Sequence, residues 1–298
     1  MHIRVLAAVT AFLLWLPSAL CQKPCGSTVT GHLDVIPFHD KTFGRDRMLR
    51  VWLPPGYDDA SNAHHLYPVL YMFDGQWLFD RCLSPWLSEW KIDETLTALI
   101  PQHRVEAMIV VGIDNAGRER SNEYELYSNP LGHSATAPSG DRIPAFLDEV
   151  LPFVESRYRI AKGREHTAIG GSSFGSLAAL TALLRRPDVF GLGLLESTSL
   201  QEGNGLVLRD AATIVRGPLR VSIGVGSEEL GEKDIAALQI PNADPGFVRM
   251  HQMLADSMRH SLINTPEVKF TVTPGGRHTE EFWSERFPDA IEFLFPYR

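Results

Sequence analysis

Residues 171–175 read Gly-Ser-Ser-Phe-Gly, a G-x-S-x-G step centred on Ser173, with the apolar run TAIG before it and the helix-forming run SLAALTALL after it. A serine between a strand and a helix in this way sits on a strained turn that lifts its hydroxyl clear of the backbone. The flanking glycines are required because a side chain at either position would obstruct the chain as it reverses. The helix that begins just beyond supplies N–H groups and a favourable dipole where an oxyanion would develop. Ser172 has no glycine two positions on, so Ser173 is the candidate nucleophile.

A serine hydroxyl attacks poorly at neutral pH unless a base takes its proton and returns it to the leaving group. With this kind of turn the partners follow in the order Ser, acid, His. Of the eleven histidines, His251, His260 and His278 come late enough. His251 and His260 fall in a helical pattern and are expected on its surface, whereas His278 follows VKFTVTPGGR on a glycine-rich loop and is the expected base. The acid should end the strand in LRVSIGVGSEELGEKD. Glu229 is the first choice, with Glu228 and Asp234 behind it, and each could instead be a solvated loop charge. The oxyanion would meet the N–H of Phe174 and a second N–H after YPVLYMF, where Asp74 and Gly75 turn the chain. Gln76 is the candidate there, with Trp77 next.

These groups need a scaffold that brings distant loops together. From Thr28 to Pro54 apolar and polar residues alternate, as in antiparallel edge strands. YPVLYMF, AMIVVGI, HTAIGG, FGLGLLES, LRVSIGVG and VKFTVTPGG are nearly continuous apolar runs, suited to strands covered on both faces. Helical patterns intervene in IDETLTALI, IPAFLDEVLPFVESRY and SLAALTALLRR, with others expected at Phe247–Leu262 and Phe287–Phe295. The alternation predicts an α/β fold with a mostly parallel central sheet and helices on both faces. Ala116–Asp141 and Ser197–Arg216 are the least regular segments after strand ends, where such folds bind ligands, and are the expected substrate walls.

The 298 residues suit one catalytic domain, and a net charge of -8 offers no basic field for nucleic acid. Residues 1–21 read as a secretory leader: Arg4, an apolar stretch from Val5 to Leu16, a Pro17 break, then small residues. Cleavage after Cys21 would leave a mature domain of 22–298 with no membrane span, although an uncleaved anchor stays open. Cys25 and Cys82 would then be the remaining cysteines, a pair able to bridge in an oxidising compartment or to stay as two buried thiols.

Taken together, MLRVWLPPGYD, YPVLYMFDGQW, AMIVVGIDN, FLDEVLPFVESRYRI, HTAIGGSSFGSLAAL, RPDVFG, VGSEE and GGRHTEEFWSERFPDAIEFL resemble the esterase family of α/β-hydrolases. That family includes enterochelin and other siderophore esterases, feruloyl and acetylxylan esterases, and S-formylglutathione hydrolases. The resemblance spans most of the chain after the leader. It implies Ser173 as nucleophile, His278 as base, and Glu229 as the acid of a G-x-x-[DE] step after Gly226. Many relatives carry His-Gly where this chain has Asp74 and Gly75. Siderophore esterases are closer, with a DGQ-like turn and then an aromatic residue, although some of them work with a Ser-His pair.

The resemblance therefore leans towards siderophore-type esters. A catechol trilactone would need aromatic faces and cations, for which Trp77, Arg118, Arg120 and Trp283 are candidates. Trp283 could instead pack the last helix, and Glu123 and Glu125 could neutralise the arginines. No cofactor is implied, and no H-E-x-x-H or cysteine-histidine cluster suggests a catalytic metal. The same site would transfer acyl groups if an alcohol outcompeted water, as a resemblance to mycolyltransferases implies. A non-catalytic binding protein on this scaffold is the alternative of a different class.

Overall fold

The computed structural model describes residues 25–128, 137–231 and 242–297. The leader and Asp234 lie outside these residues. The alternating segment at the start forms β1 (His32–Asp40) and β2 (Arg45–Leu53). The apolar runs form β3 (Val69–Phe73), β4 (Ile109–Ile113), β5 (Thr167–Ser172), β6 (Leu192–Glu196), β7 (Arg220–Gly226) and β8 (Glu267–Thr273). They make one sheet in the order β1-β2-β4-β3-β5-β6-β7-β8. β2 runs antiparallel to both its neighbours, and every other pairing is parallel.

The described α-helices are α1 (Ile92–Leu99), α2 (Arg120–Tyr124), α3 (Ile143–Glu155), α4 (Phe174–Arg185), α5 (Leu206–Ala212), α6 (Ala243–Met258) and α7 (Glu280–Leu294). Strand side chains alternate between two cores, as the two-residue period of a strand demands. Val69, Tyr71 and Phe73 of β3 join α3, α4, α5 and α6 on one face. Leu70 and Met72 join α1 and α7 on the other. Both faces are thus covered, as continuous apolar runs require.

Three expectations are corrected. β8 is no doubly covered strand: it forms the sheet edge, and none of its residues is fully buried. α7 begins at Glu280, seven positions before the expected Phe287, because Trp283, Phe287, Ile291 and Leu294 form one buried helical stripe that continues through Pro288. His251 is not a surface residue but fully buried. Its Nδ1 bonds the Phe247 carbonyl one turn earlier at 2.8 Å, which removes part of the penalty of burying an imidazole. His260 is exposed, as expected, but lies just past the end of α6 at Met258 and not on that helix. Cys25 and Cys82 are joined by a disulfide, with Cα atoms 5.6 Å apart.

Candidate active site

Ser173 stands between the end of β5 and the start of α4 with φ 57° and ψ −126°. A non-glycine residue in this region stores about 1–3 kcal/mol of strain, and such strain gathers at functional sites. The flanking glycines answer the close packing: a Cβ on Gly171 would lie 2.6 Å from the Gly175 carbonyl carbon, and one on Gly175 would lie 2.5 Å from Asp74 Oδ2. The backbone is pinned by the Ser173 N–H, which donates to the Glu196 carbonyl at 3.0 Å. Ser173 Oγ lies 3.4 Å from Ser199 Oγ.

Glu229 follows β7 and His278 follows β8, the adjacent strand. The two loops are stitched together: Glu228 N–H donates to the Gly276 carbonyl at 2.9 Å and His278 N–H to the Glu229 carbonyl at 3.2 Å. His278 Nδ1 then meets Glu229 Oε2 at 2.6 Å. The other carboxylate oxygen, Oε1, accepts from Ser197 Oγ at 2.7 Å and from Gly226 N–H at 2.5 Å. Burial of Glu229 opposes its charge, but the hydrogen bond and charge of His278, with the Gly226 and Ser197 donors, outweigh it and hold the carboxyl below its ordinary range. Glu228 is exposed. Between the two adjacent acids, only Glu229 is placed to orient the imidazole.

Behind this pair lies a second polar layer. Trp283 Nε1 donates to Ser197 Oγ at 2.9 Å, and the Trp283 ring meets His278 edge-on with centroids 5.2 Å apart. Arg286 donates through Nε to the buried Glu196 at 2.6 Å. Burial pushes the Glu196 carboxyl up to about 7 despite Arg286, and the nearby Glu229 adds to the rise.

Ser173 and His278 line one cavity of about 480 Å³ together with Trp77, Trp86, Ser88, Arg120, Thr279, Glu280, Glu281 and Trp283. Gln76 and Phe174 adjoin the lining residues Trp77 and Ser173 at the carboxyl ends of β3 and β5, which are neighbours in the sheet. Trp77 and Trp86 meet edge-on at 6.0 Å. Arg120 reaches the cavity, but its guanidinium is committed: Nε and one terminal nitrogen each lie 2.7 Å from an Asp74 oxygen. It also lies 5.2 Å from the Trp77 ring centroid and 5.5 Å from that of Phe174. Burial alone would weaken the Arg120 charge, and Asp74 reverses that effect.

A match to the family described as "Putative esterase" spans residues 41–294. The chain belongs to this esterase family. The uncharacterized protein YbbA of Bacillus subtilis (strain 168) is 21% identical over 255 residues, covering 84% of this chain and 93% of that protein. The siderophore triacetylfusarinine C esterase of Aspergillus fumigatus is 27% identical over 179 residues, covering 58% of each. The solved structure of the siderophore hydrolase EstB from Aspergillus nidulans superimposes with a TM-score of 0.68 at 19% identity, covering 99% of this chain and 100% of that one. That likeness shows the shared α/β-hydrolase fold.

The matched segment contains every expected site residue, and the structure sorts them. Trp77, Arg120 and Trp283 line the cavity, but Arg118 is exposed in the short 3-10 helix Gly117–Glu119 and does not. Glu123 pairs with Arg45 and Arg47, not with Arg118 or Arg120. Of the two expected walls, Ala116–Asp141 contributes Arg120 and Ser197–Arg216 contributes no lining residue among the described ones. Sequence reasoning missed Trp86 and Ser88 in the loop after β3, although RCLSPWLSEW places two tryptophans close behind the oxyanion turn. It also missed Ser197, whose role depends on a hydrogen bond to a residue 32 positions away.

Proposed function

We propose that this chain hydrolyses carboxylic esters through an acyl-enzyme on Ser173, with His278 as general base and Glu229 as the acid that orients it. In this scheme Ser173 Oγ attacks the ester carbonyl carbon while its proton passes to His278 Nε2. The Glu229 carboxylate fixes the proton on Nδ1 and stabilises the imidazolium. The oxyanion receives the N–H groups of Phe174 and Gln76. Collapse expels the alcohol, which takes the proton from His278, and water then repeats the sequence on the acyl-enzyme to release the acid. No cofactor enters.

The observation that carries this reading is the 2.6 Å bond between His278 Nδ1 and Glu229 Oε2, on an imidazole that shares its cavity with the strained Ser173. The substrate is proposed to be a small siderophore-type or aryl ester. Trp77, Trp86 and Trp283 offer aromatic faces to such groups, and two relatives bear siderophore esterase or hydrolase names. Arg120 is assigned a positioning role, because its hydrogen bonds to Asp74 fix the turn that carries Gln76. We further propose that the protein is exported. The leader-like start of the sequence and the Cys25–Cys82 bridge support this, and no helix among the described residues is long and apolar enough to cross a membrane.

Aryl acetates, feruloyl esters and siderophore lactones assayed side by side, with acceptor alcohols added in parallel, test the proposal. The siderophore-type esters should give the highest kcat/KM, with free acid as the main product. Turnover confined to feruloyl esters would overturn the substrate assignment, and predominant transesterification would replace hydrolysis with acyl transfer.

A further inference from the structure

Away from the catalytic cavity, the carboxylates of Glu89, Asp93 and Glu94 converge at the start of α1, with one oxygen of each within 4.8 Å of the others. Glu89 is 4% exposed and Asp93 0%, so this is no solvated acidic face. Asp93 Oδ2 accepts from the Thr30 N–H at 2.5 Å. Glu89 Oε2, Asp93 Oδ1 and Glu94 Oε2 are all buried without a hydrogen-bond partner. Buried carboxylate oxygens facing one another are strongly unfavourable unless a shared proton or a cation lies between them. Lys91, between Glu89 and Asp93 in the sequence, is exposed to solvent.

We propose that Glu89, Asp93 and Glu94 form a binding site for a hard divalent cation of the calcium class, which ties the amino-terminal segment and one wall of the catalytic cavity to α1. The donors are all oxygens, with no imidazole or thiolate among them, which favours calcium over zinc or copper. Oxygens bound about 2.4 Å from a calcium ion lie no more than about 4.8 Å apart. The three carboxylates meet that limit. Backbone or water oxygens would complete the shell.

Neighbouring contacts show what the ion would hold. Thr30 belongs to the segment that begins at the Cys25–Cys82 bridge. Glu89 lies between Ser88, which lines the cavity and donates to Glu280 at 2.8 Å, and Trp90, which packs against Trp283 with centroids 5.8 Å apart.

The full chain, stripped with a chelator and dialysed, is titrated with calcium chloride by calorimetry and melted with and without the ion. Wild type should show one saturable site, with Kd of about 10⁻⁴–10⁻³ M as in extracellular calcium modules. At 10 mM calcium the Tm should rise by about 2–5 °C. Asp93→Asn and the less buried Glu94→Gln should each weaken binding at least about tenfold and remove most of the shift, while folding without calcium at least as stably as wild type, since each relieves like-charge crowding. No saturable heat in wild type would overturn the site. So would an equal Tm rise from sodium chloride at matched ionic strength, or an undiminished rise in both variants.

Discussion

Replacing Glu229 by Gln changes a single atom, and the surrounding hydrogen bonds determine its consequence. The carboxylate accepts from His278, Ser197 and Gly226 at 2.6, 2.7 and 2.5 Å. An amide has only one acceptor oxygen. Turned towards His278, it would set its NH₂ against the Gly226 N–H, a buried donor facing a donor, at a penalty of about 1–3 kcal/mol. The favoured orientation keeps the oxygen on Gly226 and Ser197 and points the NH₂ at His278 Nδ1. Nδ1 must then accept, which moves the imidazole proton to Nε2, and Nε2 can no longer take the proton of Ser173. The lost tautomer and lost imidazolium stabilisation together should lower kcat by about 10⁴-fold, or about 5.4 kcal/mol in the barrier. Steady-state hydrolysis of an activated aryl ester at neutral pH, with a melting curve to confirm the fold, measures this directly. Glu228→Gln, on the exposed neighbour, should stay within about twofold, as a screened surface charge allows. Glu229→Gln retaining more than about a tenth of wild-type kcat would remove Glu229 from the mechanism and leave a Ser-His pair.

Arg120→Met leaves the buried Asp74 carboxylate without a counter-charge, held only by the Asn115 amide, and should lower unfolding stability by about 3–5 kcal/mol in urea denaturation. Adding Asp74→Asn should recover most of that loss, and failure to recover would show that Arg120 acts through packing alone. The pH dependence of stability should carry the mark of His251. Burial lowers its pKa to about 4 in the fold, against 6.5 for the free side chain. Its contribution is therefore complete above pH 6.5 and is lost as pH falls towards 4, because the unfolded chain takes up a proton that the fold refuses. Stability of wild type should accordingly fall more steeply than that of His251→Leu in this window, by up to about 1.4 kcal/mol per pH unit. Parallel slopes would contradict the assignment.

Much of this architecture is legible in local pattern. Continuous apolar runs marked β3 to β7, and the glycines around Ser173 marked the turn, because both depend on residues close in sequence. Chain order and the G-x-x-[DE] step put Glu229 ahead of its neighbour Glu228, and the loops after β7 and β8, laid side by side, show why it is the one that meets His278. The missed features rest on contacts that no local repeat encodes. Arg120 reads as a cation open to substrate or to Glu123 and Glu125 until Asp74, 46 positions earlier, takes up its guanidinium. His251 fits a surface position until its own helix supplies the Phe247 carbonyl. The Trp86 wall carries no period at all, since a loop side chain is aimed by turns and not by a repeat.

The proposed mechanism stands or falls with Ser173 as the nucleophile, which covalent labelling can establish. Wild-type protein treated with a fluorophosphonate and digested for mass spectrometry should carry one adduct, on the peptide containing Ser173, with ester hydrolysis lost in proportion. Ser173→Ala should fold normally, take no label, and hydrolyse the same ester at least about 10⁴-fold more slowly. Labelling at another residue, or Ser173→Ala activity within about tenfold of wild type, would contradict the account, since loss of a triad serine removes far more than that.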